Sequence, residues 1–245
     1  DPAGNTFTGH ARIALRVRAP VPSIELHAFG LSAASARLLS ARSARLLHVV
    51  PVPEAQSWRL EPMDGLPIPT GEYRLEIAYA GKVNGAGEGL FVAPYEAAGR
   101  KQRLLATQLE AIHARNVFPS FDEPAFRAVF EITVRAPKAF DVVSNMPRAR
   151  RTLEREFAVH RFAPTPPMPT YLVSVAVGNF DVLGSTAAGV PLRILTAPGK
   201  REFARHAMRV TQQVLPYFSW YFGVPYALPK LDQFAVPSVR DGAME

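Results

Sequence analysis

Cysteine is absent from the 245 residues, which excludes disulfides, thiolate metal sites and a cysteine nucleophile. It leaves the redox compartment open. No run approaches the ~20 unbroken apolar residues that a membrane-crossing helix needs, so no membrane span is expected. Asp1 to His10 is polar and has no signal-peptide core, and compartment stays undetermined. Lysine is scarce: five of the 28 basic residues are Lys and the rest Arg. The six histidines, His10, His27, His48, His113, His160 and His206, include no pair four residues apart. The His-Glu-x-x-His spacing, which sets two imidazoles on one zinc with a glutamate base beside them, is therefore missing. Each histidine reads as a surface or packing residue.

Hydrophobic residues make up 48% of the chain, enough for a packed core. The 23 prolines favour edge strands, turns and loops, because proline removes a ladder donor. The net charge is +7, a value that can mark a nucleic-acid or anionic-surface binder. Here the arginines are scattered. The densest group, Arg148, Arg150, Arg151 and Arg155, lacks the interleaved aromatics of a nucleic-acid platform, so a solvated face is expected and no nucleic-acid partner. Arginine in excess of lysine, with abundant alanine and proline, fits a GC-rich bacterial genome.

From Phe7 to about Asp181 the pattern is that of strands. Residues 11–18 alternate small or apolar with basic side chains, and 24–29, 44–50, 73–79 and 127–134 alternate likewise, the period of half-buried strands. Residues 171–177 form a nearly continuous apolar run, expected as a strand buried on both faces. Short strands with frequent turn signals predict a mainly β fold, an antiparallel sandwich or saddle-shaped sheet. Gly85-Ala86-Gly87-Glu88-Gly89 matches no dinucleotide fingerprint and reads as a hairpin loop.

The texture changes after Gly184. Residues 190–196 predict one more strand. Residues 200–222 carry Phe203, Ala207, Val210, Val214 and Phe218 at helical spacing, with Pro198-Gly199 before them, Gly223 after them and Pro216 inside, where a kink is expected. The division implied is a β domain over residues 1–184 and a second unit over 185–245.

Three segments carry a resemblance. Thr107-Gln108-Leu109-Glu110 is followed by Phe118-Pro119-Ser120-Phe121-Asp122-Glu123-Pro124-Ala125-Phe126-Arg127-Ala128. Pro164-Thr165-Pro166-Pro167-Met168-Pro169-Thr170-Tyr171-Leu172 leads to Val177-Gly178-Asn179-Phe180. Tyr221-Phe222-Gly223-Val224-Pro225-Tyr226-Ala227-Leu228-Pro229-Lys230-Leu231-Asp232 precedes Gly242-Ala243-Met244-Glu245. Together, in this order across nearly the whole chain, they resemble the M1 family of zinc aminopeptidases, with its TQxE, FPxxDEPAFKAxF, YFGxPYPLPKLD and GAMEN patterns. The final Asn of GAMEN is absent.

The resemblance implies a family β domain followed by the first strand and helix of a thermolysin-like α/β catalytic domain, an N-terminal portion ending within the GAMEN pattern. It implies that Glu110 and Glu245 share the α-ammonium group of a peptide substrate, that Gln108 lines the pocket for the first side chain, and that Gly242, Ala243 and Met244 run along the bound peptide, where glycine permits close approach. Acceptors around one cation give short charge-assisted hydrogen bonds, and the anchor-to-metal distance then selects one peptide bond. Taken alone, Glu110 reads as a solvated strand-edge carboxylate. Asp122 and Glu123 tempt an acid–base reading, but neighbours on an extended chain point opposite ways, and both are expected to be structural, with Arg115 and Arg127 as candidate partners.

No catalytic residue and no metal ligand is assigned within the 245 residues. Zinc is the cofactor implied for the parent enzyme, and none is expected to bind this portion. The expected partners are peptides with a free N-terminus and the remaining domains of the same protein. Two other readings stay open: a catalytically silent M1-like scaffold, and an all-β interaction module ending near Asp181. The amphipathic helix argues against a mere tail after that point, because its apolar face needs a partner.

Overall fold

The computed structural model describes residues 5–85 and 87–237. The described residues form mainly antiparallel strands, as expected, with one α-helix among them, late in the chain. The first sheet comprises β1 (Thr6–Val17), β2 (Ile24–His27), β3 (Leu31–Leu39), β4 (Ala44–Val52), β5 (Ser57–Pro62) and β6 (Gly71–Lys82), in the order β1-β6-β3-β4-β5-β2. Every pairing in it is antiparallel. The alternation in β1 and β6 sets Arg12, Arg16, Arg74 and Glu76 on the outer face, with Leu75, Ile77 and Tyr79 turned inward. Leu26, Leu38, Trp58, Leu60 and Ile68 complete this core. Tyr79 covers Gly9, where a Cβ would come within 2.3 Å of its ring, so any side chain at this position would have to displace that ring.

A second sheet holds β7 (Gly89–Ala97), β8 (Arg100–Gln108), β10 (Asp141–Ser144) and β13 (Val175–Gly178) in the order β10-β13-β8-β7. A third holds β9 (Thr133–Pro137), β11 (Arg148–Leu153) and β12 (Phe157–Phe162) in the order β11-β12-β9. Gly85 and Gly87 lie on the connection from β6 of the first sheet to β7 of the second. The expected hairpin loop there is corrected, since the flanking strands do not pair with each other.

Two expected strands are shorter than the sequence pattern implied. Residues 127–132 are extended but make only scattered bonds: Ala128 exchanges with Met168 at 3.0 Å, and Phe130 N–H donates to Thr165 Oγ1 at 2.9 Å. The facing segment contains Pro164, Pro166, Pro167 and Pro169, which have no N–H to donate, so no ladder forms. In the apolar run 171–177 the start is a short 3₁₀ turn, Thr170–Leu172. The Thr170 hydroxyl is held by Asp122 at 2.5 Å, which pulls this turn out of the sheet.

The last sheet is mixed. The strands β14 (Asp181–Ala187), β15 (Val190–Thr196) and β16 (Leu231–Ala235) lie in that order, β15 and β16 parallel. The parallel pair needs a crossover, and α1 (Ala204–Phe222) supplies it. The 184/185 division falls inside β14. The helix runs unbroken through Pro216 and ends at Gly223, φ 66°, a left-handed cap that favours glycine.

The buried stripe of α1 is Ala204, Met208 and Leu215, packed on Leu192 and Ile194. The expected face is corrected here, because Phe203, Val210 and Phe218 are exposed. Tyr217, Trp220, Tyr221 and Phe222 are exposed as well. With apolar residues on several sides of the last turns, periodicity cannot choose the stripe. Hydrogen bonds choose it: Gln212 donates to Ser185 Oγ at 2.7 Å, and Gln233 donates to Thr211 Oγ1 at 2.8 Å.

Candidate functional site

Gln108 is the last residue of β8. It shares the buried face of that strand with Leu104 and Ala106, as alternation requires. Its side chain is buried, and its Oε1 has no hydrogen-bond partner among the described residues. A buried acceptor left unpaired is destabilising by about 1–3 kcal/mol, so an incoming donor at this point would be stabilising. Leu109 follows, fully buried against Ala114 and Val173. The chain then turns at Glu110, which is half-buried; the Glu110–Ala111 peptide is cis. His113 N–H donates to Leu109 O at 2.9 Å and closes this turn.

The turn is tight against the start of β7. Gly89, at φ 66°, pairs with Gln108, and a Cβ on it would lie 3.1 Å from Asn116 Cβ. A side chain at this position would press on the turn that carries Glu110.

A buried polar network fixes the loop beyond. Asp122 accepts from Arg115 Nε at 3.0 Å and from Arg115 N–H at 3.3 Å, while its other carboxylate oxygen takes the Thr170 hydroxyl. Arg115 also donates to Asp122 O at 3.2 Å and to Gln56 Oε1 at 3.2 Å. Asp122 N–H donates to His27 Nδ1 at 3.3 Å. Asp122 therefore ties the loop to β2 on one side and to the Thr170 turn on the other. Glu123 is exposed. Arg115 is the partner of Asp122; Arg127 makes no ion pair with it.

The second set of expected site residues, Gly242, Ala243, Met244 and Glu245, lies outside the described residues. The approach to them is described. Phe234 on β16 meets Phe180 edge-to-face with ring centroids 5.8 Å apart. Val236, six positions before Gly242, packs on the cluster of Phe91, Ala93, Leu104 and Ala106. That cluster is the face of β8 and β7 that ends at Gln108.

The chain matches the Peptidase M1 N-terminal domain over residues 1–172. The chain belongs to the M1 peptidase family. It is 35% identical over 249 residues to Aminopeptidase M1-B of Oryza sativa subsp. japonica, covering 100% of this chain and 28% of the rice protein. It is 35% identical over 242 residues to Aminopeptidase N of Acetobacter pasteurianus, covering 98% of this chain and 67% of that protein. Glutamyl aminopeptidase of Rattus norvegicus is 37% identical over 175 residues, 71% of this chain and 18% of the rat protein. The matched stretch thus spans 28% of the rice protein and 18% of the rat protein.

The M1 family implies zinc, but the described residues do not fit it. Among them no three His, Cys, Asp or Glu side chains gather closely enough to hold a metal ion. No step of a reaction is assigned to zinc on these residues. None of the helices among the described residues is long and apolar enough to cross a membrane.

The sequence reading missed one part of this region, a charged cluster beside β16. Lys230 and Asp232 pair, and Asp232 accepts from Arg193 Nε at 2.8 Å and Nη2 at 2.6 Å. The signal was the register of a parallel pair, Arg193 opposite Asp232, which no local pattern reveals.

Proposed function

We propose that this chain is the substrate-recognition portion of a zinc-dependent aminopeptidase, and that it binds the free N-terminus of peptides. Residues 1–184 are read as the M1 β domain and 185–245 as the start of the catalytic domain. Gln108 borders the pocket for the first side chain, and Glu110 takes the α-ammonium group together with Glu245, with Gly242, Ala243 and Met244 along the peptide.

The observation that supports this reading is the packing of Val236 on the cluster that Phe91 and Ala93 of β7 form with Leu104 and Ala106 of β8. Val236 stands six positions before Gly242, and β8 ends at Gln108, two positions before Glu110. A half-buried carboxylate beside an unpaired buried acceptor suits a cationic, hydrogen-bond-donating ligand. Charge-assisted hydrogen bonds of this kind are each worth about 1.5–3 kcal/mol.

Within the full-length enzyme, these residues orient the peptide and leave bond cleavage to residues further along the protein. Zinc, when bound there, supplies Lewis-acid activation of water and carbonyl.

The test is Glu110→Gln in the full-length protein. The expected result is a loss of roughly 10- to 100-fold in kcat/KM for free-amine substrates, with little change for N-blocked ones. Equal losses for both would refute the amine anchor.

A further inference from the structure

Three sheets meet at one cleft. It holds about 350 Å³ and is lined from β10 of the second sheet, from β11 and β12 of the third, and from β15 and the residues just before β16 in the last. Small-molecule sites run from about 300 to 1,000 Å³. Part of the wall is apolar, made by Met146, Phe162, Pro191 and Pro229. Neither Gln108 nor Glu110 lines it, so it is a site additional to the proposed amine anchor.

The rest of the wall is charged. Arg148 on β11 pairs with Asp141 on β10, and its Nη1 lies 3.2 Å from His160 Nδ1. Arg193 on β15 holds Asp232 through Nε at 2.8 Å and Nη2 at 2.6 Å. Lys230, its side chain 10% exposed, donates to Ser144 O at 2.8 Å and pairs with Asp232, whose side chain is 5% exposed. Three cations, Arg148, Arg193 and Lys230, thus stand against two carboxylates, Asp141 and Asp232, which leaves one positive charge uncompensated.

Donors are left over as well. An ammonium has three N–H groups, and Lys230 uses two of them. Arg148 Nε and Nη2, and Arg193 Nη1, have no acceptor among the described residues. Burial holds the Lys230 ammonium below the ordinary lysine value, with Asp232 opposing and Arg193 adding. A negative group arriving in the cleft would offset that penalty.

We propose that this cleft binds a small organic carboxylate, its charged head among Arg148, Arg193 and Lys230 and its short apolar chain against Met146, Phe162 and Pro229. A monoanion balances the surplus of one charge, whereas a dianion would leave net negative charge beside Asp141 and Asp232. A planar carboxylate also matches the fork of a guanidinium. The apolar wall needs a ligand with a body, which an inorganic anion lacks.

The experiment is isothermal titration calorimetry of the full-length enzyme with sodium hexanoate, and with 1-hexanol and inorganic phosphate for comparison. Hexanoate is expected to bind with a Kd on the order of 1 mM, and the other two at least about tenfold more weakly. Arg148→Gln removes a cation and leaves Asp141 without its partner, so hexanoate should bind about tenfold more weakly. Asp141→Asn removes the opposing charge and should tighten hexanoate about threefold. Met146→Trp fills the cleft and should abolish binding. If Met146→Trp does not fold, the opposite shifts of Arg148→Gln and Asp141→Asn still decide the matter.

Four results would each overturn the proposal. Hexanoate may give no saturable heat. Its binding may be the same in all three variants, which would place the carboxylate elsewhere on the enzyme. Asp141→Asn may weaken binding as much as Arg148→Gln, which would make the pair a structural part of the wall. Phosphate or 1-hexanol may bind as tightly as hexanoate, which would assign the cleft to inorganic anions or to apolar molecules.

Discussion

Removing Arg115 should damage this domain more than any exposed arginine would. Its side chain is 10% exposed and that of Asp122 is 2% exposed. Arg115→Ala deletes the Nε donor to Asp122 and the donors to Asp122 O and Gln56 Oε1. The carboxylate then keeps one backbone N–H and the Thr170 hydroxyl, with no cation beside it. Breaking a buried pair in this way is destabilising by about 3–5 kcal/mol. With a urea slope of roughly 2–3 kcal/mol per molar, the unfolding midpoint should drop by about 1–2 M. The double variant Arg115→Met with Asp122→Leu removes both charges and should be milder than the sum of the singles, by a coupling of about 1–3 kcal/mol. Urea unfolding followed by tryptophan fluorescence gives all four corners of this cycle, since Trp58 lies in the first core. Single variants each within about 1 kcal/mol of the parent, with an additive double, would show that the network does not hold the loop.

The remaining expectations concern acid sensitivity and metal. His160 is fully buried, and its Nδ1 lies 3.2 Å from Arg148 Nη1. Burial, with Arg148 and Arg151 adding and Asp141 opposing, holds it below the ordinary imidazole value. The unfolded chain takes up a proton near pH 6.5 and the folded chain does not, so stability is lost as pH falls from about 6.5 through the depressed folded value. His160→Leu should flatten that slope between about pH 7 and 5 in urea midpoints; an unchanged slope would place the acid sensitivity elsewhere. The 245-residue chain should bind no stoichiometric zinc and show no chelator-sensitive turnover of an aminoacyl-anilide. Metal analysis after gel filtration that finds about one zinc per chain would contradict this.

Much of the fold is present in local pattern. Period-2 alternation marks β1, β4 and β6, and Val190–Thr196 coincides with β15, because a strand with one wet and one dry face writes that difference into every second residue. Gly223 ends α1 where expected. The departures share a cause, which is that the partner was not in the pattern. Residues 127–132 alternate like a strand, yet the prolines opposite supply no donors. Residues 171–177 are apolar like a strand, yet Asp122, 48 positions before Thr170, accepts from its hydroxyl in the turn that begins the run.

The motifs by themselves determined the family, and through it proposed Gln108, Glu110 and the run from Gly242 to Glu245 as substrate contacts, since a motif is residue identity at fixed spacing. Only the tertiary structure decided that Arg115 and Asp122 brace the Glu110 loop, that Val236 lies on the Gln108 face of β8, and that Lys230 reaches Ser144 across two sheets. Those contacts join residues far apart in sequence, Lys230 and Ser144 by 86 positions. Their partners are selected by burial, which removes water as a competing hydrogen-bond partner and makes each unmatched polar group too unfavourable to leave alone.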